Sequence, residues 1–103
     1  MPRYFVSAKL TKEGLISLRT DGFAARIEAN RQAWESVGGT IEVWYYGAST
    51  DEFDIYAIVN AATSDVVYAL SSSAIASGTS VVCKAVELRT GEEADAAVAL
   101  ASG

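Results

Sequence analysis

The sequence predicts an α+β fold, in which a four-stranded antiparallel sheet carries its helices on one face in the order β-α-β-β-α-β, plus a C-terminal helix. Two observations predict it. Four segments alternate between apolar and polar residues as strands do, and the longer segments between them show helical spacing. The chain has 103 residues with one proline, at position 2, so no element is interrupted, and 1–103 is expected to form a single domain.

The first strand and a long helical segment occupy the first third of the chain. Residues 3–9 alternate and are rich in aromatic and β-branched types, which favours a strand. Thr11 is placed to cap a helix, and apolar residues at helical spacing continue from about 12 to 37. We expect Asp21-Gly22 to split or kink this helix, because glycine costs about 1 kcal/mol in a helix interior. Gly38-Gly39 then ends it by allowing positive φ.

A hairpin and a second helix follow. Residues 40–46 and 53–59 read as two strands that are joined by a turn from Gly47 to Asp51. The stretch from 65 to 77 is long for a strand and stops at Gly78, which favours a helix.

The last part of the chain predicts a fourth strand and a short final helix. Residues 80–88 alternate as a strand does. Thr90-Gly91-Glu92-Glu93 fits a capping box and opens an alanine-rich helix at 92–101. The complete order is that of the split βαβ, or ferredoxin-like, fold, whose first strand usually lies between the third and the fourth.

Composition excludes several classes of function. The sequence has no histidine and one cysteine, Cys83, so a Ser-His-Asp or Cys-His mechanism, an intrachain disulfide and a thiolate zinc cage are all excluded. Cys83 is expected to be a small buried hydrophobe. Oxygen-only Mg²⁺ or Ca²⁺ sites remain allowed, but nothing in the pattern points to a metal or a cofactor. Whether the chain is an enzyme stays open.

Charge and hydropathy restrict the partners and the compartment. The net charge is −5 and the basic residues are scattered, which argues against a nucleic acid as a partner. No apolar run approaches the ~20 residues of a membrane span, and Met1-Pro2-Arg3 leads directly into an alternating segment rather than into a signal-peptide core. We therefore expect a cytoplasmic protein with no membrane partner.

The face of the sheet that the helices leave uncovered is predicted to be apolar. Strict alternation assigns to the helix-covered face Tyr4, Val6, Ala8, Ile41, Val43, Tyr45, Phe53, Ile55, Ala57 and Val59. It assigns to the helix-free face Phe5, Trp44, Tyr46, Tyr56 and Ile58, with the polar Ser7, Lys9, Glu42 and Asp54. A monomer rarely exposes a contiguous apolar patch of this size. We therefore expect a homodimer or higher homo-oligomer in which two sheets pack face to face, as a dimeric α/β barrel.

Two other uses of these aromatic residues stay open. They are ordinary residues of amphipathic strands, or they stack on bases as in the RNA-recognition fold, which has the same topology. That fold carries a basic-aromatic motif on its third strand, whereas this chain has the acidic segment Asp51-Glu52-Phe53-Asp54. Nucleic acid is therefore not an expected partner.

The opening of the chain, MPRYFVSAKLTKEGL, resembles the start of the GYD-domain family of small, mostly bacterial proteins of poorly defined function. The resemblance continues through Gly38-Gly39 and covers almost the whole chain. At the Gly-Tyr-Asp segment that names the family, this chain keeps Asp54, has Phe53 for the tyrosine and replaces the glycine. The family is similar in fold to dimeric α/β-barrel proteins, which include small monooxygenases, isomerases and ligand-sensing domains. The resemblance implies a fold and an assembly, not a reaction.

Five residues are candidates for a ligand site on the helix-free face. Lys9 ends the first strand and Asp54 begins the third, so antiparallel pairing brings them together as either a surface ion pair or the polar anchor of a small-ligand pocket. Trp44, Tyr46 and Tyr56 either line the same pocket or pack in a dimer interface. The sequence thus predicts a small oligomeric domain that binds a small apolar or aromatic molecule. The alternative is a structural or protein-interaction module without ligand chemistry.

Overall fold

The computed structural model describes residues 1–47 and 52–101. Its elements are β1 (Arg3–Leu10), α1 (Lys12–Asp21), α2 (Phe23–Ser36), β2 (Thr40–Tyr46), β3 (Ile55–Asn60), α3 (Ser64–Ala76), β4 (Ser80–Leu88) and α4 (Gly91–Ala99). The strands form one antiparallel sheet in the order β2-β3-β1-β4. The fold is therefore α+β and compatible with the ferredoxin-like class. Most of the turn predicted from Gly47 to Asp51, including Asp51 of the acidic segment, lies outside the described residues.

The predicted split of the long helical segment falls at Gly22. This residue separates α1 from α2 and has a φ of +99°, which L side chains rarely adopt. Its N–H donates to the Leu18 carbonyl at 2.9 Å, so the break between the two helices is tight. Thr11 caps α1 as predicted, because its hydroxyl accepts the Gly14 N–H at 2.9 Å. Both predictions are local, and both are confirmed.

The turn between β1 and α1 packs directly against the turn between α3 and β4. The Thr11 N–H donates to the Thr79 carbonyl at 3.0 Å, and the Thr11 hydroxyl donates to the Gly78 carbonyl. A Cβ atom at Gly14 would overlap the Thr79 carbonyl, so only glycine allows this approach. The contact holds the start of α1 beside the end of α3.

The core lies between one face of the sheet and the helices α2 and α3. Trp34 of α2 and Val67 of α3 are both buried against that face, so these two helices cover the same side of the sheet. The buried strand residues of this cluster are Tyr4, Val6, Ile41, Ala57 and Val59. All five occupy the positions that alternation assigned to the helix-covered face.

A β-bulge in β2 overturns the predicted faces of the rest of that strand. The pairing with β3 slips by one residue at Glu42, which is the extra residue. Beyond the bulge Trp44 and Tyr46 lie on the helix-covered face, and Trp44 packs against the core. Val43 and Tyr45 lie on the helix-free face. The predicted orientation of all four is wrong, because alternation changes phase where a strand gains a residue.

Strand β3 begins later than predicted, and Phe53 is not part of it. The backbone bends at Asp54, and the strand starts at Ile55. The Phe53 ring meets the Tyr56 ring edge-on at 6.3 Å, and the Lys84 Nζ atom lies 5.3 Å from the centre of the Phe53 ring. Since Tyr56 and Lys84 lie on the helix-free face, the assignment of Phe53 to the covered face is also wrong.

Helix α4 stands apart from the other elements. The predicted capping box is present: the Thr90 hydroxyl accepts the Glu93 N–H at 3.1 Å, and the Glu93 carboxylate accepts the Thr90 N–H at 2.9 Å. Every residue of α4 is exposed, and no other described helix or strand packs extensively on it. The radius of gyration is consequently 15.2 Å, against about 13 Å for a compact domain of this length.

Candidate functional site

Lys9 and Asp54 meet where β1 ends and β3 is about to begin. The Lys9 Nζ atom lies 3.4 Å from Oδ2 of Asp54, which also accepts the Leu10 N–H at 2.9 Å. Asp54 is buried, and its own N–H donates to the Ala8 carbonyl at 2.9 Å. These contacts tie the segment before β3 to β1. Within this network Asp54 holds backbone groups in place.

Tyr56, a third candidate, belongs to a row of aromatic rings on the helix-free face. Its ring stacks on Phe5 with centroids 6.2 Å apart, and the Phe53 ring meets it edge-on. The Lys84 Nζ atom lies over Phe53 and 3.8 Å from a carboxylate oxygen of Glu52. The three rings thus form a continuous row, and the Lys84 ammonium group beside it is paired with Glu52.

Apolar side chains extend this row across the sheet. We call the surface formed by Phe5, Val43, Tyr45, Phe53, Tyr56, Ile58, Val82 and Val86 the open sheet face. Tyr45 is 67% exposed and Val86 is 58% exposed, at the two edge strands. The helix-free face is therefore apolar as predicted, but β2 contributes different side chains to it.

Glu42, the extra residue of the bulge, connects three strands at the end of the open sheet face. Its Oε1 atom accepts hydrogen bonds from Nη2 and Nε of Arg3, at 2.9 and 3.1 Å, and from Nδ2 of Asn60 at 3.0 Å. The hydrogen bonds from Asn60 and Arg3 lower the pKa of Glu42. The bulge thus places the Glu42 carboxylate beside the Arg3 guanidinium of β1.

The two remaining candidates, Trp44 and Tyr46, lie under the helices. The Tyr46 hydroxyl donates to the Phe23 carbonyl at 3.0 Å, and the two rings meet edge-on at 5.0 Å. Burial raises the pKa of Tyr46, and the nearby Trp44 indole partly opposes this rise. The indole is close enough to influence the hydroxyl but not in hydrogen-bond geometry with it. Trp44 Nε1 is buried and has no hydrogen-bond partner among the described residues.

A cavity of about 160 Å³ lies between the sheet and the helices α1, α2 and α3. Trp44 from β2 and Trp34 from α2 line it, together with mostly apolar side chains of the core. Arg26 and Asn30 of α2 add polar groups, and Cys83 borders it from β4. Burial raises the pKa of the Cys83 thiol, which disfavours a reactive thiolate. Sequence reasoning missed this cavity because alternation without a bulge turned Trp44 to the other face.

The structure divides the predicted site into two. Lys9, Asp54 and Tyr56 lie at or beside the open sheet face, whereas Trp44 and Tyr46 lie on the helix-covered side. Within residues 1–47 and 52–101, no three side chains of the types that bind metals are grouped to hold an ion. In the same ranges, no helix has the length and apolar character needed to cross a membrane.

Comparisons with known proteins return no relative. No family model matches the chain. Neither the curated proteins nor the solved structures include one with significant similarity to it. A function for the chain therefore has to be inferred from the geometry of its own residues.

Proposed function

We propose that this chain acts as a homodimer in which the open sheet faces of two copies pack together, and that it serves as a protein-interaction module. The observation that carries the proposal is the continuous apolar surface that a single copy leaves in water, with Tyr45 and Val86 more than half exposed. Burying apolar surface is worth about 25 cal/mol per Å². The largest contiguous apolar patch on a soluble protein is often an interaction site.

The charges around the open sheet face favour a second copy as the partner. Three ion pairs border the face: Arg3–Glu42, Lys9–Asp54 and Lys84–Glu52. Because each of these charges is balanced within its own chain, two identical faces approach without repulsion. A nucleic acid would instead require an excess of positive charge, which the face lacks.

The dimensions of the face bring a pair of copies close to the size of a specific interface. Strands about 4.8 Å apart, each with about seven residues at about 3.3 Å, give four strands a planar footprint of roughly 450 Å². Two footprints total about 900 Å² before the relief of the side chains is added. A specific interface needs about 1,000 Å². The planar area alone falls just short of that size, so the side chains that stand above the sheet have to supply the difference.

A small ligand on the open sheet face has less support than a second copy. Lys9 and Asp54, its predicted polar anchors, already bind each other. Trp44 and Tyr46 lie on the opposite side of the sheet, which leaves Tyr56 as the one aromatic candidate on this face. A ligand held between two sheets is thus the second candidate, favoured only by the row of stacked rings.

The proposal includes the resemblance to the GYD-domain family and a cytoplasmic location. The GYD-domain family, which the opening of the chain resembles, is similar in fold to dimeric α/β-barrel proteins, so a dimer agrees with that resemblance. Cys83 is a free thiol, which agrees with a reducing cytoplasm.

A single charge in the open sheet face tests the proposal. Val86 pairs with Phe5 across β1 and β4, so Val86→Glu would bury a carboxylate in the interface. Light scattering is expected to give twice the mass of one chain for the wild type and the mass of one chain for Val86→Glu. Ile16→Glu is the matched control, because Ile16 is 53% exposed on α1, away from this face. It is expected to stay dimeric. A wild-type monomer at micromolar concentration contradicts the proposal, and so does dissociation caused equally by both variants.

A further inference from the structure

We infer that a groove beneath α3 binds one linear aliphatic chain of about twelve carbon atoms, with an uncharged polar end that stays in water. The groove consists of the cavity described above and a second hollow next to it. Both lie on the helix-covered side of the sheet, so the inference does not depend on dimer formation through the open sheet face. It rests on the continuity of the two spaces, on their dimensions and on the chemistry of their walls.

The two spaces meet beneath the middle of α3. The second hollow has a volume of about 240 Å³ and lies between Val67 and Tyr68 of α3 and the strands β1 and β4. Ser71 of α3 and Cys83 of β4 border both this hollow and the cavity. Both side chains are small, and both residues are half-buried. The hollow and the cavity therefore form one groove that is narrowest at these two residues.

The length of the groove follows from the residues that border it. On α3 they begin at Ser64 and end at Ala74, and on β1 they run from Tyr4 to Leu10. Ten residue steps of an α-helix advance about 15 Å. With C–C bonds of about 1.5 Å, an extended hydrocarbon chain advances about 1.3 Å per carbon atom, so this length corresponds to roughly twelve carbon atoms.

The volumes lead to the same size. An apolar protein cavity of about 150 Å³ holds benzene, which has six carbon atoms. The cavity, at about 160 Å³, therefore takes about six carbon atoms, and the hollow, at about 240 Å³, takes at least as many. A linear chain fills two spaces that meet end to end, whereas a compact molecule of the same volume does not.

The cavity end of the groove suits the apolar tail of such a molecule. Trp34 and Leu70 are among its mostly apolar walls. Arg26 is the one charged residue among the described residues that line it, and its guanidinium is already paired with a carboxylate of the same chain. The hydrogen bond from Thr11 to Thr79 joins the two turns at this end. The tail therefore meets apolar surface and no free charge.

The other end of the groove opens to the solvent. Tyr68, which borders it, is 75% exposed, and Ala85 of β4 is exposed as well. No basic residue is among the described residues that line the hollow, and Asp65 lies in the first turn of α3, next to Ser64. A carboxylate at this end would find an acidic neighbour and no cation. A hydroxyl group stays hydrated there without repulsion.

Straight-chain alcohols of six, eight, ten, twelve and fourteen carbon atoms are the probes. The tryptophan fluorescence of the full chain reports their binding, because Trp34 and Trp44 line the cavity. Affinity is expected to rise about two- to fourfold with each added methylene up to about twelve carbon atoms and then to level off. Dodecanoate is expected to bind more weakly than dodecanol. An affinity that stops rising at six to eight carbon atoms would overturn the inference, because the chain would then occupy the cavity alone.

Variants at the narrowest point provide the control. Ser71→Leu from α3 and Cys83→Leu from β4 are each expected to lower the affinity for dodecanol by about tenfold or more. Ser73→Leu is the matched substitution, because Ser73 is exposed on the same helix and borders neither space. It is expected to bind dodecanol as the wild type does, and so is Val86→Glu, whose change lies in the open sheet face.

Circular dichroism identifies a variant that has failed to fold, and the two positions keep the test usable. Unchanged affinity for dodecanol in the folded variants Ser71→Leu and Cys83→Leu would overturn the inference. Equal losses in Ser71→Leu and Ser73→Leu would also overturn it. Loss of dodecanol binding in Val86→Glu would place the alcohol on the open sheet face and would have the same consequence.

Discussion

At Asp54 a buried carboxylate faces a backbone N–H and an ammonium group at the same time. Oδ2 lies 2.9 Å from the Leu10 nitrogen and 3.4 Å from Nζ of Lys9. Leu10 lies where the pairing of β1 with β4 becomes irregular. The carboxylate therefore accepts from a backbone donor at a break in the strand ladder, and a buried donor of this kind needs a partner.

Two substitutions at Asp54 separate these contacts. Asp54→Ala is expected to lower the free energy of unfolding by about 1–3 kcal/mol, because the Leu10 N–H loses its acceptor. Asp54→Asn keeps a carbonyl oxygen and loses only the partly exposed ion pair with Lys9, which is worth about 1 kcal/mol or less. Urea unfolding of the three proteins measures both losses. Equal losses for Ala and Asn would show that the charge, not the hydrogen bond to Leu10, is what matters.

Glu42 is expected to make the stability of the fold depend on acid pH. Its pKa in the folded protein is lowered from 4.5 by the hydrogen bonds from Asn60 and Arg3. Because the folded state holds the proton less tightly than the unfolded state, the contribution of Glu42 is complete above pH 4.5. It is lost as the pH falls through the lowered pKa. In Glu42→Gln this part of the acid-induced loss should be absent, so urea unfolding from pH 6 to pH 3 should show a shallower decline. If stability declines as steeply in Glu42→Gln as in the wild type, Glu42 is not the cause of this acid-induced loss.

At the scale of elements, strand β2 shows which features a sequence reveals. Its bounds follow from local chemistry, since residues 40–46 are rich in β-branched and aromatic types, and the structure has the same bounds. The bulge has no such signal, because Glu42 continues an alternating pattern. Its position depends on the pairing with β3 and on contacts with Arg3 and Asn60, which are distant in the chain. The caps at Thr11 and Thr90 were predictable because they are local. Each hydroxyl accepts the backbone N–H three residues further along the chain.

Helix α4 is expected to melt independently of the rest of the chain. An isolated helix of this length is marginal in water, and α4 has no extensive packing to support it. Thr90→Ala removes the cap, worth about 1 kcal/mol. Hydrogen exchange of the α4 amides should become faster, while the urea midpoint measured on the tryptophan signal stays unchanged. A lower midpoint would show that α4 is coupled to the sheet. Thr63→Ala is a suitable control, since Thr63 precedes α3 but makes no side-chain capping bond.

At the scale of the whole molecule, the sheet has two faces, and the sequence predicted all five candidate residues on one of them. The pairing of Lys9 with Asp54 was predictable from strand ends and antiparallel topology, and Tyr56 lies on the predicted face. Trp44 and Tyr46 were placed wrongly because one slip in register changes the face of every later residue. The cavity could not be predicted for the same reason. Its existence also depends on the distance between α1–α2 and α3, which is set by tertiary packing.

The proposed dimer leaves the cavities intact. If two copies pair through their open sheet faces, the helices of each copy remain on the outside, and so do the two cavities. Each chain then keeps its own complete cavity, since every lining residue comes from the same chain. The assembly surface and the cavity thus lie on the two sides of the same four strands.

The extra residue at Glu42 makes both surfaces of this protein depend on how one strand pairs with its neighbour. Deleting Glu42 would leave Ile41 opposite Val59 and Val43 opposite Ile58, so the ladder would become regular while Trp44 and Tyr46 stayed under the helices. The deletion would remove only the carboxylate that binds Arg3 and Asn60. Regular pairing of Glu42 without a deletion would instead turn Trp44 and Tyr46 outwards and bring Val43 and Tyr45 under the helices. The bulge, and not the alternating pattern of the strand, therefore decides which aromatic rings line the cavity.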